Sequence, residues 1–105
     1  AGPAARVRRR DALAYLMDAA RADGPFDIVF ADPPYEDAKL RVGILERIGA
    51  DRSAGILRPG GRLVLKHFWR DRPPATVGLL ASERERRYGE TALTFYRQMA
   101  PQEGG

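Results

Sequence analysis

The sequence predicts an α/β fold, and three observations point to it. Ile28, Val29 and Phe30 are consecutive apolar residues, which is typical of a strand covered on both faces in a parallel sheet. A helical pattern and a second apolar strand follow and complete a β-α-β unit. Near the end of the chain, two strand patterns flank a Tyr-Gly-Glu turn, as in a hairpin. We therefore expect a mixed sheet that ends in an antiparallel β-hairpin.

The first predicted elements are the end of a strand and a helix. Ala1 to Ala5 are mostly small residues and are expected to be frayed, whereas Arg6 to Arg10 is predicted as the end of a strand. Asp11 is a suitable N-cap for the helix that follows. The helix carries one apolar face, formed by Ala12, Leu13, Leu16, Met17 and Ala20. Gly24-Pro25 is expected to end it.

The β-α-β unit comes next in the chain. Phe26 to Ala31 is its first strand, and a helix is predicted from about Asp37 to Arg52. The apolar face of this helix consists of Leu40, Ile44, Leu45 and Ile48. Leu57 to Gly61 reads L-R-P-G-G and is predicted to be a turn, after which Arg62 to Lys66 is the second strand. Such crossovers place ligands at the carboxyl ends of the strands.

Two runs near the end of the chain predict the hairpin. Leu80 to Arg87 is its first strand and Thr91 to Arg97 its second. Along the second run, the side chains alternate between two faces, with Leu93 and Phe95 on one and Ala92, Thr94 and Tyr96 on the other. Pro101 to Gly105 is expected to be frayed.

The composition limits the possible classes of protein. At 105 residues the chain has room for one domain. It contains no cysteine and a single histidine, His67, so disulfides and thiolate sites are excluded and no metal is expected. No apolar run is long enough to span a bilayer or to form a signal-peptide core, which predicts a cytoplasmic protein without a membrane partner.

The positive charge is almost entirely arginine. The net charge is +4, and the only lysines are Lys39 and Lys66. Arginine binds phosphate bidentately and stacks on bases, so this composition is compatible with binding to RNA or DNA. Arg84, Arg86 and Arg87 are candidates for phosphate contacts, yet acids alternate with them as on a solvated strand face.

The segment Asp32-Pro33-Pro34-Tyr35 directly follows the first apolar strand and has the clearest chemical meaning. Neither proline has a backbone N–H and both have a fixed φ, so the turn is rigid and presents acceptors. The Asp32 carboxylate and the Pro33 carbonyl can each accept a hydrogen bond from an exocyclic amine. Tyr35 offers an aromatic face on which a base can stack. The competing interpretation is an ordinary turn whose prolines end the strand, and the flanking strand and aromatic favour the catalytic one.

Three segments, in this order, carry a family resemblance: F-D-I-V-F-A-D-P-P-Y, L-R-P-G-G-R-L-V-L and E-R-R-Y-G-E-T-A-L-T-F-Y-R. Together they resemble the bacterial ribosomal-RNA guanine-N2 methyltransferases of the RsmD family. The resemblance implies the C-terminal part of a Rossmann-like class I methyltransferase fold, with S-adenosylmethionine as cofactor. It further implies ribosomal RNA as partner, within a small-subunit assembly particle. D-P-P-Y alone is shared with adenine-N6 enzymes, which leaves these as an alternative.

The resemblance also assigns roles to individual residues. Asp32, Pro33, Pro34 and Tyr35 would form the catalytic box. Asp11 and Ala12 match the position at the end of a strand that contacts the adenine amine of the cofactor, and Asp32 would border the same ligand.

One departure from the family pattern is an absence. The sequence contains no G-x-G, so residues 1–105 are expected to form a single partial domain without the glycine-rich cofactor loop. In the family, further strands would lie between the strand ending at Arg10 and the one beginning at Phe26. We therefore expect the edge at Ile28 to Phe30 to be uncovered and the chain to self-associate. A non-catalytic interaction fragment is the alternative of a different class.

Overall fold

The structure is a computed structural model that describes residues 4–7 as backbone, together with residues 25–34, 37–50 and 56–100. These residues form a six-stranded mixed sheet with a helix packed on it. The elements are β1 (Ala4–Val7), β2 (Phe26–Ala31), α1 (Ala38–Gly49), β3 (Leu57–Phe68), β4 (Thr76–Val77), β5 (Leu80–Tyr88) and β6 (Thr91–Gln98). The order of the strands in the sheet is β1-β2-β3-β6-β5-β4. The predicted first helix and the residues after Ala100 lie outside the described residues.

The edge of β2 is covered, contrary to expectation. β1 runs parallel to β2 and pairs with it from Ala4 to Val7, opposite Ile28 to Ala31. An unpaired strand edge exposes N–H and C=O groups, and β1 satisfies these groups directly. Ala4 and Ala5 are therefore in a strand and not frayed. The outermost strands of the described sheet are β1 and β4, so β2 does not offer the unpaired edge from which self-association was predicted.

The helix of the β-α-β unit is present but shorter than predicted. Its N-cap is Asp37, whose Oδ1 accepts a hydrogen bond from the Leu40 backbone N–H at 3.0 Å. It ends at Gly49, although the pattern extended to Arg52. The Gly49 carbonyl accepts a hydrogen bond from the Leu79 N–H at 2.8 Å, and a methyl group at Gly49 would overlap the Val77 carbonyl. This close backbone approach determines where the helix stops.

β3 is longer than its predicted range. Leu57 already pairs with Phe26, and the regular parallel register resumes where Arg62 pairs with Ile28. The residues between these pairs form a bulge, in which Gly60 has a φ of +82°. The prediction of a turn from Leu57 to Gly61 was wrong, because this segment is an irregular, bulged part of β3 that is paired with β2 on both sides of the bulge.

The hairpin is confirmed. β5 and β6 are antiparallel and joined by a turn at Gly89-Glu90, and Gly89 has a φ of +63°. Ala92, Thr94 and Tyr96 are buried, whereas Leu93 and Phe95 lie on the other face, as the alternation predicted. β4, a strand of two residues that pairs with the start of β5, was not predicted.

The sheet has one face that is covered by α1. The apolar side chains of α1 join buried residues of the strands in a single cluster that includes Val29, Ala31, Leu57, Leu63, Leu65, Leu80 and Tyr96. The other face, which we call the second face, carries Ile28, Val64 and Lys66, and Ile28 is 47% exposed. No helix among the described residues is long and apolar enough to cross a membrane.

Tyr96 is expected to make the stability of the fold depend on pH. Its side chain is fully buried, and its hydroxyl donates to the Pro74 carbonyl at 2.6 Å. Burial, and secondarily the charge of Glu85, raises the pKa of Tyr96 from 10.0 to about 12. A group whose pKa is higher in the folded state contributes to the free energy of unfolding. This contribution is fully present below the unfolded-state pKa, and it is lost as the pH rises through the folded-state pKa.

We therefore expect the free energy of unfolding to fall between about pH 10 and about pH 12, by on the order of 2 kcal/mol. Urea denaturation across this range measures the loss. The matched control is Tyr96→Phe, which removes the titrating hydroxyl and should give a flatter curve. Parallel curves for the two proteins would contradict the assignment.

Candidate active site at the carboxyl edge of the sheet

The Asp-Pro-Pro turn is held at both of its ends. On one side, Ala31 is the last residue of β2 and is fully buried. On the other side, the Asp37 N–H donates to the Pro34 carbonyl at 3.0 Å, and Asp37 then caps α1. The segment from Asp32 to Pro34 therefore spans a short path between a buried strand and a capped helix, and its backbone has little freedom to move.

Within this turn, the prolines and the side chain of Asp32 differ in their exposure to solvent. Pro33 is buried and Pro34 is half-buried, so the prolines fix the turn against the protein. The side chain of Asp32 is 25% exposed and can be reached from solvent. A carboxylate on a rigid backbone at a strand end is suited to hold a hydrogen-bond donor in one orientation.

Lys66 is a neighbour of Asp32 that the sequence reasoning missed. Its Nζ lies 3.9 Å from Asp32 Oδ2, and its side chain is 37% exposed. The two residues come from adjacent strands, since Ala31 pairs with Leu65 one residue earlier. The sequence contained an indication of this position. Side chains alternate along a strand, so Lys66 lies on the face opposite Leu65 and His67, which is the second face. The site thus combines a carboxylate with an ammonium group that can contact a phosphate or a base oxygen.

His67 does not contribute to this site. It lies inside β3 and is 1% exposed, although the predicted strand ended one residue earlier at Lys66. Its Nδ1 is 2.7 Å from the Phe68 carbonyl, and its Nε2 is 2.7 Å from the Thr94 hydroxyl. The carbonyl only accepts, so Nδ1 donates to it, and the Thr94 hydroxyl can donate to Nε2. His67 is therefore a core residue whose polar atoms are satisfied.

The structure brings together only part of the predicted site. Asp32, Pro33 and Pro34 form one turn, as predicted from their sequence. The predicted stacking residue Tyr35 and the predicted cofactor contacts Asp11 and Ala12 lie outside the described residues. In the part of the chain that is described, no group of three or more His, Asp or Glu side chains is arranged to hold a metal ion.

A comparison with protein families assigns the chain. The profile of the family described as "Conserved hypothetical protein 95" matches residues 2–97. The chain belongs to this family. The match includes the Asp32 turn and nearly the whole hairpin.

One curated relative and one solved structure of known name are similar to this chain. "Putative rRNA methyltransferase YlbH" of Bacillus subtilis is 34% identical over 94 residues, which are 90% of this chain and 49% of YlbH. The solved "Putative methyltransferase yhhF" of Escherichia coli is 18% identical with a TM-score of 0.57, over 96% of this chain and 65% of that chain. The family resemblance drawn from the sequence motifs is thereby confirmed.

A further solved structure shows the extent of the likeness. A hypothetical protein of Thermus thermophilus is 28% identical with a TM-score of 0.54, over 79% of this chain and 42% of that chain. The chain therefore spans about half the length of YlbH and of the Thermus protein. These likenesses confirm the predicted α/β class and the Rossmann-like methyltransferase fold.

Proposed function

We propose that this protein contributes the amine-binding part of an enzyme that methylates the exocyclic N2 of a guanine in small-subunit ribosomal RNA. The observation that carries the proposal is the Asp32 turn, a rigid and solvent-accessible acceptor at the carboxyl end of β2. This edge of an α/β sheet is where ligands bind. The name of YlbH, a relative that is 34% identical, supports RNA as the substrate class. The protein would act in the cytoplasm.

In this proposal the turn orients the amine. The Asp32 carboxylate and the Pro33 carbonyl each accept one hydrogen of the base –NH₂, which fixes the direction of the nitrogen lone pair. Tyr35 stacks on the extruded base, an interaction worth about 1–3 kcal/mol. Orientation and electrostatics supply the rate enhancement, because the excess proton of the amine can leave during or after transfer.

S-adenosylmethionine would supply an electrophilic methyl group. The residues proposed to border it are Asp11, Ala12 and Asp32. The described residues fit the binding of the substrate amine better than the binding of the cofactor. No described glycine lies at the carboxyl end of β2, where it would let backbone N–H groups approach the cofactor. The described glycines occur within α1 and at its contact with the β4–β5 turn, in the bulge of β3 and in the hairpin turn. Among the described residues, the proposed cofactor contact is Asp32, at the carboxyl end of β2.

Nucleoside mass spectrometry of ribosomal RNA tests this function in the source organism. Deletion of the gene should abolish one N2-methylguanine in the small subunit, and restoring the gene should return it. Loss of N6-methyladenine with N2-methylguanine intact would instead favour the adenine-N6 alternative. If neither nucleoside changes, the proposed function is wrong.

A further inference from the structure

Several strands bring their ends to the same edge of the sheet as the Asp32 turn. Phe68 at the end of β3 pairs with Thr91 at the start of β6, and Tyr88 at the end of β5 pairs with the same Thr91. Trp69 continues from β3, and its N–H donates to the Glu90 carbonyl at 2.9 Å. The loop after β3 and the hairpin turn are therefore joined to each other at the edge where the Asp32 turn lies.

One row of side-chain positions connects the Asp32 turn to the hairpin. Lys66, which contacts Asp32, pairs with Leu93 of β6, and Leu93 pairs with Arg86 of β5. The row crosses four adjacent strands, which are three spacings of about 4.8 Å, so Arg86 lies roughly 14 Å from Asp32. Stacked nucleotides in one strand rise about 3.4 Å each, so this distance is roughly that of four nucleotides.

Trp69 orders two arginines on this edge. The Cζ atom of Arg87 lies 3.7 Å from the centroid of the Trp69 ring, and that of Arg70 lies 4.8 Å from it. The ring is half-buried, whereas both arginines are exposed. Arg87 Nε also donates to the Gly89 carbonyl at 2.8 Å. A guanidinium that stacks on an aromatic ring keeps N–H groups at its edge, where they can bind a phosphate.

The positive surface continues into a cleft beside α1. Arg70 and Arg72 line a cavity of about 340 Å³ together with Arg41. Arg41 pairs with Asp71 at 3.9 Å, but among the described residues no acid lies within ion-pair distance of Arg70, Arg72 or Arg86. These three arginines form no ion pair within the described part of the chain, and their exposed guanidinium groups can approach an anionic partner.

We infer that this surface binds the phosphate backbone of single-stranded RNA next to the nucleotide held by the Asp32 turn. We call it the basic rim, and it consists of Trp69, Arg70, Arg72, Arg86, Arg87 and Tyr88. Arginines ordered on an aromatic ring suit phosphate, and Tyr88, which is 59% exposed, offers a face on which a base can stack. The choice of RNA as the polymer rests on the proposed function. Trp69 is a positioning residue, since it acts through Arg70 and Arg87.

Fluorescence anisotropy with a labelled, unstructured RNA of roughly twelve nucleotides tests the inference without cofactor. The double variant Arg70→Ala with Arg87→Ala should bind about tenfold more weakly. Its plot of log affinity against log salt should be shallower by about 1.4, because two phosphate contacts are lost at about 0.7 each. Trp69 is the only tryptophan, so its emission should change on RNA addition with the same midpoint as the anisotropy.

Arg97→Ala is the matched control. Arg97 is an exposed arginine on the same hairpin, but it lies at the far end of β6, about 20 Å from Thr91. This variant should keep the affinity and the salt dependence of the unmodified chain. Trp69→Leu should weaken binding as the double variant does, while Trp69→Phe, which retains a ring, should restore most of the affinity.

The outcomes separate this surface from the proposed chemistry. Unchanged affinity and salt dependence in the double variant would overturn the basic rim. The same holds if polyglutamate of matched charge competes as well as unlabelled RNA, or if the unmodified chain does not bind the RNA. Normal binding by the rim variants together with lost methylation in Asp32→Ala would refute the rim alone, whereas the reverse pattern would refute the proposed role of Asp32.

Discussion

Asp32→Ala is expected to lower the rate of methyl transfer by about a hundredfold to a thousandfold, the usual effect of removing one preorganised group that stabilises the transition state. The carboxylate lies on a turn that is fixed by β2 on one side and by the Asp37 cap on the other. The backbone therefore fixes the position of this carboxylate. Single-turnover transfer measures the effect, with the variant and the unmodified protein expressed in the source organism and compared at equal concentrations of cofactor and RNA.

Asp32→Asn distinguishes orientation from proton abstraction. Asparagine keeps an acceptor oxygen at the same position but cannot act as a base at neutral pH. If Asp32 mainly orients the amine, the asparagine variant should stay within about tenfold of the unmodified rate. A loss as large as that of the alanine variant would show that Asp32 is the base.

Asp27→Ala provides the control for charge. Asp27 belongs to the same strand, and its carboxylate is paired with Arg58 at 3.3 Å at the opposite end of the strand. It is five residues from Asp32, about 17 Å along β2. Its removal should leave methyl transfer unchanged. Equal losses in the Asp27 and Asp32 variants would mean that stability or general charge is responsible.

The parts of the fold that the sequence predicted well are those with local causes. The run Ile28 to Phe30 and the two prolines after Asp32 define both a strand and its end, although Ile28 is 47% exposed and is not covered as a strand buried on both faces would be. The hairpin is equally local, since Gly89 supplies the positive φ of the turn and the side chains of β6 alternate between two faces. For these reasons both elements were predicted close to their observed bounds.

The errors have tertiary causes. The L-R-P-G-G segment has the composition of a turn, but the pairing of Leu57 with Phe26 keeps it in the sheet as a bulge. The helix ends at Gly49 because another part of the chain approaches its backbone. The pairing of β1 with β2 joins residues that are more than twenty positions apart. No local sequence pattern indicates which strand will pair with the edge of β2.

The surroundings of the site were also difficult to predict, because they join residues that are distant in sequence. Asp32 and Lys66 meet only through the parallel register of β2 and β3. Trp69 and Arg87 meet only because the hairpin folds back beside β3. The identity of the central motif could be recognised from its own residues, whereas its neighbours required the sheet.

Weak binding of S-adenosylmethionine by this chain is the second result with a large expected effect. We expect a Kd above about 1 mM, roughly a thousandfold weaker than micromolar binding. A glycine-rich loop normally lets backbone N–H groups approach such a ligand closely, and the sequence has no G-x-G. β1 also lies directly against β2, where the family pattern would place further strands.

Calorimetric titration of the chain with the cofactor, run beside light scattering, measures both the affinity and the state of association. Asp32→Ala is the internal comparison, because any specific binding at the carboxyl end of β2 should decrease further in this variant. Micromolar affinity in a monomer would contradict the expectation. It would mean that Asp11, Ala12 and Asp32, the contacts that the sequence assigns, hold the cofactor without a glycine-rich loop, and that this chain forms a complete site by itself.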